Sequence, residues 1–168
     1  MRRKKGIISL MLSLVLCIAM CMQVSASEEV YTLSPTPPTA SGIEARGKNP
    51  PSGSAGTHNL SDSSYSYEVT DMGARVYTNK WITGASSIKI SVADWKLIEE
   101  YHGATNDQLT LEVYDSNKKL VDSETITISK ESGSATFTGL TSTAKYYIGF
   151  RVPLNSNRYS FNGTISKK

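Results

Sequence analysis

From about Ser64 onward, apolar and polar residues alternate in short runs. Tyr65, Tyr67 and Val69 share one side of a first strand, and Val76 and Tyr77 begin a second that reaches towards Trp81. Ile88, Ile90 and Val92 alternate with Ser87, Lys89 and Ser91. Leu109, Leu111 and Val113 alternate with Thr110, Glu112 and Tyr114, and Ile126 and Ile128 with Thr125 and Thr127. Phe137, then Tyr146, Ile148, Phe150 and Val152, then Tyr159, Phe161 and Ile165 complete the series. A period of two, rich in β-branched and aromatic residues, is the pattern of strands with one buried face. The spacing predicts an all-β chain over residues 64–168: a two-sheet antiparallel β-sandwich, Ig-like or jelly-roll-like, of about seven or eight strands.

The connections fit that reading. Asp115-Ser116-Asn117-Lys118 separates two strand patterns and predicts a tight hairpin, with Asn117 able to take a left-handed backbone. Glu131-Ser132-Gly133 and Asn155-Ser156-Asn157 predict further turns, and Gly163 inside the last run predicts a bulge or a close backbone approach. One stretch breaks the alternation. Asp94 can cap and Gly103 can end a short helical turn over 94–102, with Trp95, Ile98 and Tyr101 on one face; an extended strand end followed by an irregular loop is the alternative.

Upstream the pattern is different. Arg2, Arg3, Lys4 and Lys5 precede an apolar run from Gly6 to Met22, and Val24-Ser25-Ala26 supplies small residues for a peptidase. This is the three-part form of a secretory signal peptide, predicted to be removed after Ala26. Met20 before Cys21 fits a lipid-attachment site poorly, and the run is near the short limit of a membrane span, so an anchored form ranks behind cleavage. Residues 27–63 hold five of the six prolines (Pro35, Pro37, Pro38, Pro50, Pro51) among Ser, Thr and Gly, and read as a disordered linker.

Removing residues 1–26 changes the electrostatics. Lys+Arg falls from 18 to 14 against 15 Asp+Glu, so the net charge moves from +3 to −1. Binding to nucleic acid, which needs basic charge on the domain, is not expected, nor is membrane association of the mature chain. Cys17 and Cys21 both leave with the signal, which excludes disulfides, thiol catalysis and cysteine-based zinc sites. A thiol-free exported domain leans towards a bacterial source.

Little catalytic chemistry survives. His58 falls in the linker and His102 in a polar loop, with no nucleophile-elbow motif to serve either. Adjacent Glu99 and Glu100 diverge, and Glu112 or Asp122 as their distant partners lack any supporting pattern, so these carboxylates read as solvated charge. Asn106-Asp107 and Asp115-Ser116-Asn117 offer too few oxygens for calcium. No metal, cofactor or catalytic residue is expected. The remaining lead is aromatic. Tyr114 and Tyr147 lie at the opposite parity to their strands' apolar positions and should face outwards, and with Trp95 and Tyr101 they form the candidate ligand-binding set. Tyr146, Phe150, Phe161 and Trp81 are assigned to the core.

The stretch Leu140-Thr141-Ser142-Thr143-Ala144-Lys145-Tyr146 resembles the corner before strand F in fibronectin type III and related Ig-like sandwiches, in which a leucine precedes a tyrosine by six positions. That resemblance implies a Tyr146 hydroxyl bonded back to the corner backbone. The same region, with Leu109 to Asn117 and Tyr159-Ser160-Phe161, is also similar to bacterial pre-peptidase C-terminal domains. These imply an extracellular accessory role and bring over no catalytic residue. The leading expectation is a secreted, non-enzymatic sandwich that binds a glycan or a protein at the cell surface. The alternatives are an adhesin-like envelope protein on a stalk, and an exported hydrolase or toxin built on His102.

Overall fold

The computed structural model describes residues 30–33, 47–101 and 107–168. The signal sequence, residues 27–29 and 34–46 of the predicted linker, and the His102–Asn106 stretch lie outside the described residues. Two sheets face one another. The first has the order β1 (Val30–Leu33), β3 (Tyr65–Met72), β11 (Arg158–Lys167), β6 (Ser87–Glu99), β9 (Gly133–Thr138). The second runs β2 (Thr57–Asn59), β5 (Trp81–Thr83), β10 (Tyr146–Arg151), β7 (Gln108–Asp115), β8 (Leu120–Thr127), with β4 (Arg75–Tyr77) also on β10. Pairing is antiparallel apart from β1 on β3 and β2 on β5. The chain is therefore an all-β, two-sheet sandwich.

Alternation decides which side chains meet between the layers. Tyr65, Tyr67, Val69, Ile88, Ile90, Val92, Leu109, Leu111, Val113, Ile148, Phe150, Tyr159, Phe161 and Ile165 are all buried in one cluster. Across the interface the Tyr67 ring tilts over Phe150 at 4.7 Å. The described residues include no cysteine, so this burial, at about 25 cal/mol per Å² of apolar area, stabilises them without a disulfide. The Tyr146 hydroxyl accepts a hydrogen bond from the Thr141 N–H at 2.9 Å and ties down the corner before β10.

Three expectations need correcting. The helical turn expected over 94–102 is absent from its described residues, 94–101: β6 continues to Glu99. Asp94 takes a left-handed backbone (φ 51°) at the point where the β6–β11 register shifts. That bulge restores Trp95 to the inner face against Tyr159 (4.8 Å) and Phe161 (5.2 Å), while Ile98 and Tyr101 are left half-exposed. In the β7–β8 hairpin it is Lys118, not Asn117, that is left-handed (φ 63°), because Asp115 Oδ1 accepts from the Asn117 and Lys119 N–H groups and sets the turn.

The third concerns residues 47–63, which composition assigns to the linker. They form part of the sandwich. Gly47 and Gly56 carbonyls accept from the Tyr77 and Trp81 N–H groups at 2.7 and 2.9 Å, β2 pairs with β5, and Leu60 joins the core. Backbone bonds to a sheet edge hold this stretch, so its low apolar content misleads. Further upstream, Val30–Leu33 lines the β3 edge.

Gly163 marks a close approach: a Cβ there would collide with the Ser91 carbonyl oxygen and with the Tyr67 phenol, which itself donates to that carbonyl at 2.9 Å. Gly139 has φ 75° and open space around it. Gly163→Ala should therefore cost more than the roughly 1–2 kcal/mol of a left-handed alanine at Gly139. Thermal unfolding of the two variants checks this, with Gly163→Ala expected to lower Tm by at least twice as much; equal losses would contradict the packing described.

Candidate functional site

Alternation puts half of each strand on the outer surface, and on the second sheet that surface is not a simple solvated face. Register gathers its residues into rows. Arg75, Arg151, Thr110 and Thr125 are successive cross-strand partners on β4, β10, β7 and β8. The next row is Tyr77, Gly149, Glu112 and Ser123. Beyond it Tyr147 pairs with Tyr114, and Tyr114 with Leu120.

Two arginines directly opposite one another repel and work against the pairing of their strands. Glu112 offsets this. Its Oε1 accepts from Arg75 Nη2 at 3.1 Å and from Arg151 Nε at 2.9 Å, and its Oε2 accepts from the Tyr114 hydroxyl at 2.9 Å. The Glu112 side chain is 5% exposed, whereas the arginines remain 39% and 43% exposed. Gly149 makes the arrangement fit, since a Cβ there would press on Glu112 Oε2 (3.0 Å), Tyr114 (3.2 Å) and Tyr77 (3.3 Å). At the end of the first row the Thr110 and Thr125 hydroxyls share a hydrogen bond of 2.8 Å.

The aromatic part leans on this cluster. Tyr114 and Tyr147 stack in parallel, with centroids 5.0 Å apart and planes 5° apart. Tyr77 meets both edge-on, at 6.1 and 5.6 Å, and Trp81 meets Tyr147 at 5.8 Å. Trp81 Nε1 donates to the Ser52 carbonyl at 3.0 Å, so the segment before β2 covers this corner. Each such ring pair adds about 0.5–1.5 kcal/mol beyond the area it buries. Burial, and then the hydrogen bond to Glu112, push the Tyr114 phenol up to about 12. Burial also raises Tyr147.

Of the four residues picked out as a ligand-binding set, Tyr114 and Tyr147 come together and Trp95 and Tyr101 lie elsewhere. Tyr114 and Tyr147 face away from the core, as parity predicts, but Tyr147 is only 2% exposed and works as packing. Trp95 lies between the sheets, 5% exposed. Tyr101 sits at the far end of β6, where its N–H donates to Asn157 Oδ1 at 2.8 Å. Trp81 is buried as expected, yet on the outer face of the second sheet and outside the core cluster. Glu112, read as solvated charge, is instead the buried centre of the face. Arg75, Arg151 and Gly149 were missed. The available signal is a shared spacing: Arg75-x-Tyr77, Glu112-x-Tyr114 and Tyr147-x-Gly149-x-Arg151 each put a charged group two or four residues from a tyrosine on the outward parity.

The opposite face, on the first sheet, carries a shallow depression of about 470 Å³ edged by Ser66, Glu68, Ser91, Asn162 and Thr164. It has no converging charges comparable to those around Glu112. Among the described residues, no three His, Cys, Asp or Glu side chains gather as metal ligands.

Because the folded-state Tyr114 proton is held to about pH 12 while an unfolded tyrosine loses it near 10, the contribution is complete below pH 10 and is lost as pH rises towards 12. Tyr114→Phe should therefore lose less stability than wild type between pH 9 and 11.5, narrowing the gap in Tm between them; parallel Tm–pH curves would contradict the Tyr114–Glu112 bond. No protein-family model and no curated protein matches this chain, so its functional reading stands on the geometry above.

Proposed function

We propose that the protein is exported and acts as a non-enzymatic binding module, engaging a glycan or protein at the cell surface through the outer face of its second sheet. The observation that carries this is the buried Glu112 carboxylate holding Arg75, Arg151 and Tyr114 in fixed positions while the two arginine side chains stay 39% and 43% exposed. A side chain fixed in advance loses little freedom when a ligand arrives, so its hydrogen bonds convert more fully into affinity. Arg and Tyr are also the residue types that dominate binding surfaces. The near-neutral, thiol-free sequence after residue 26 and the similarity to secreted accessory sandwiches support an extracellular setting.

Two measurements test the reading. Mass spectrometry of culture medium should find the mature chain beginning at Ser27; a membrane-bound chain retaining residues 1–26 would contradict free export. Retention of the exported chain on isolated cell surfaces should fall at least tenfold in Arg151→Ala and stay unchanged in Glu68→Ala on the opposite sheet. Equal effects of the two substitutions would remove the second sheet from the binding role.

A further inference from the structure

The row Arg75–Arg151–Thr110–Thr125 has a chemistry more specific than general adhesion. Two guanidinium charges and one carboxylate leave a local charge of +1. Glu112 engages one nitrogen of each arginine, Arg75 Nη2 and Arg151 Nε. Both terminal nitrogens of Arg151 are unclaimed by Glu112 and form its outer fork, while Arg75, whose Nε is buried and which also hydrogen-bonds with Tyr77, adds charge beside it; the two side chains are 43% and 39% exposed. Among the outward-facing described residues of β4, β10, β7 and β8, Glu112 is the one carboxylate, and it is already satisfied by three donors. Nothing else on this face neutralises the pair.

Guanidinium forks match planar or tetrahedral oxyanions in bidentate fashion, and a fixed +1 suits a singly charged group. The rest of the row supplies one exposed hydroxyl, that of Thr125, steadied by the buried Thr110 hydroxyl with which it shares a hydrogen bond, and strand spacing makes the four positions span about 14 Å across the sheet. The large exposed apolar side chains lie elsewhere: Leu120 is beside Tyr114, two rows away, and Ile98, Tyr101, Val121 and Leu154 belong to no part of this row. A cationic strip with an exposed hydroxyl and no large exposed apolar side chain suits a sugar polymer better than a peptide, which would need pockets for its side chains.

Resting on the binding role proposed above, we infer that the ligand is an acidic glycan, gripped by Arg75 and Arg151 through a singly charged carboxylate or phosphodiester, with Thr125 on a neighbouring hydroxyl. The experiment is calorimetric titration of the exported chain with four probes: oligogalacturonate, a glycerol-phosphate polymer, a neutral galactan of matched length, and polyglutamate. Oligogalacturonate or the glycerol-phosphate polymer should bind, and which of the two does so identifies the oxyanion. Arg75→Gln and Arg151→Gln should each weaken that binding at least tenfold, as should raising salt from about 50 to about 500 mM. Arg151→Lys keeps the charge and loses the fork. It should fold as wild type and bind several-fold more weakly, which serves if a glutamine variant is unstable. Galactan binding that ignores both salt and the arginine substitutions would overturn the acidic-group assignment while leaving the binding role intact. Arginine-dependent binding of polyglutamate alone would overturn the glycan assignment. Failure of all four probes, with cell-surface retention still dependent on Arg151, would also overturn this inference without touching the role it rests on.

Discussion

Arg75 and Arg151 are direct partners across two antiparallel strands, and like charges so placed oppose the pairing that the sheet needs. Glu112 resolves the conflict by reaching diagonally from the next row and accepting from both guanidiniums with a single oxygen. Its second oxygen holds the Tyr114 hydroxyl, and through the Tyr114–Tyr147 stack the effect extends to Tyr77 and Trp81. A carboxylate this enclosed would be costly without partners. With three donors around it, it becomes the point from which the outer face of the second sheet is arranged.

The second sheet is thus packed on both sides. Its inner face meets the first sheet in the usual interdigitation of a sandwich. Its outer face carries an aromatic layer capped at one corner by residues 47–56, where Trp81 donates to the Ser52 carbonyl and Pro51 is buried. The upstream segment is therefore part of the domain's stability rather than a spacer in front of it. The first sheet differs: its outer positions on β6 and β11, such as Ser91, Asn162 and Thr164, are small and polar and hold no aromatic layer.

Much of the fold could be read from period-two alternation, because burial on one face leaves that signature in each strand independently. Strands β3, β6, β7, β10 and β11 place the expected side chains inside. Failures came where structure depends on partners distant in sequence. Asp94 looks like a helix cap locally, and only its pairing with β11 makes it a bulge. Residues 47–63 look disordered by composition, and only the edge of the second sheet orders them. Glu112 lies 37 and 39 residues from its arginine partners, so no local window contains the site. Parity correctly turned Tyr114 and Tyr147 outwards, yet parity cannot say that neighbouring strands will cover Tyr147 with Tyr77, Tyr114 and Trp81.

The central claim is that Glu112 and the cross-strand arginines act as one unit. A double-mutant cycle on folding stability measures it directly, from urea unfolding of wild type, Glu112→Gln, Arg151→Gln and the double variant. The account predicts a favourable coupling of about 1–3 kcal/mol, with the double variant less destabilised than the sum of the two single changes, because each single change already removes the Glu112–Arg151 bond and Glu112→Gln also leaves the arginine pair unscreened. Additive effects, with a coupling near zero, would contradict it.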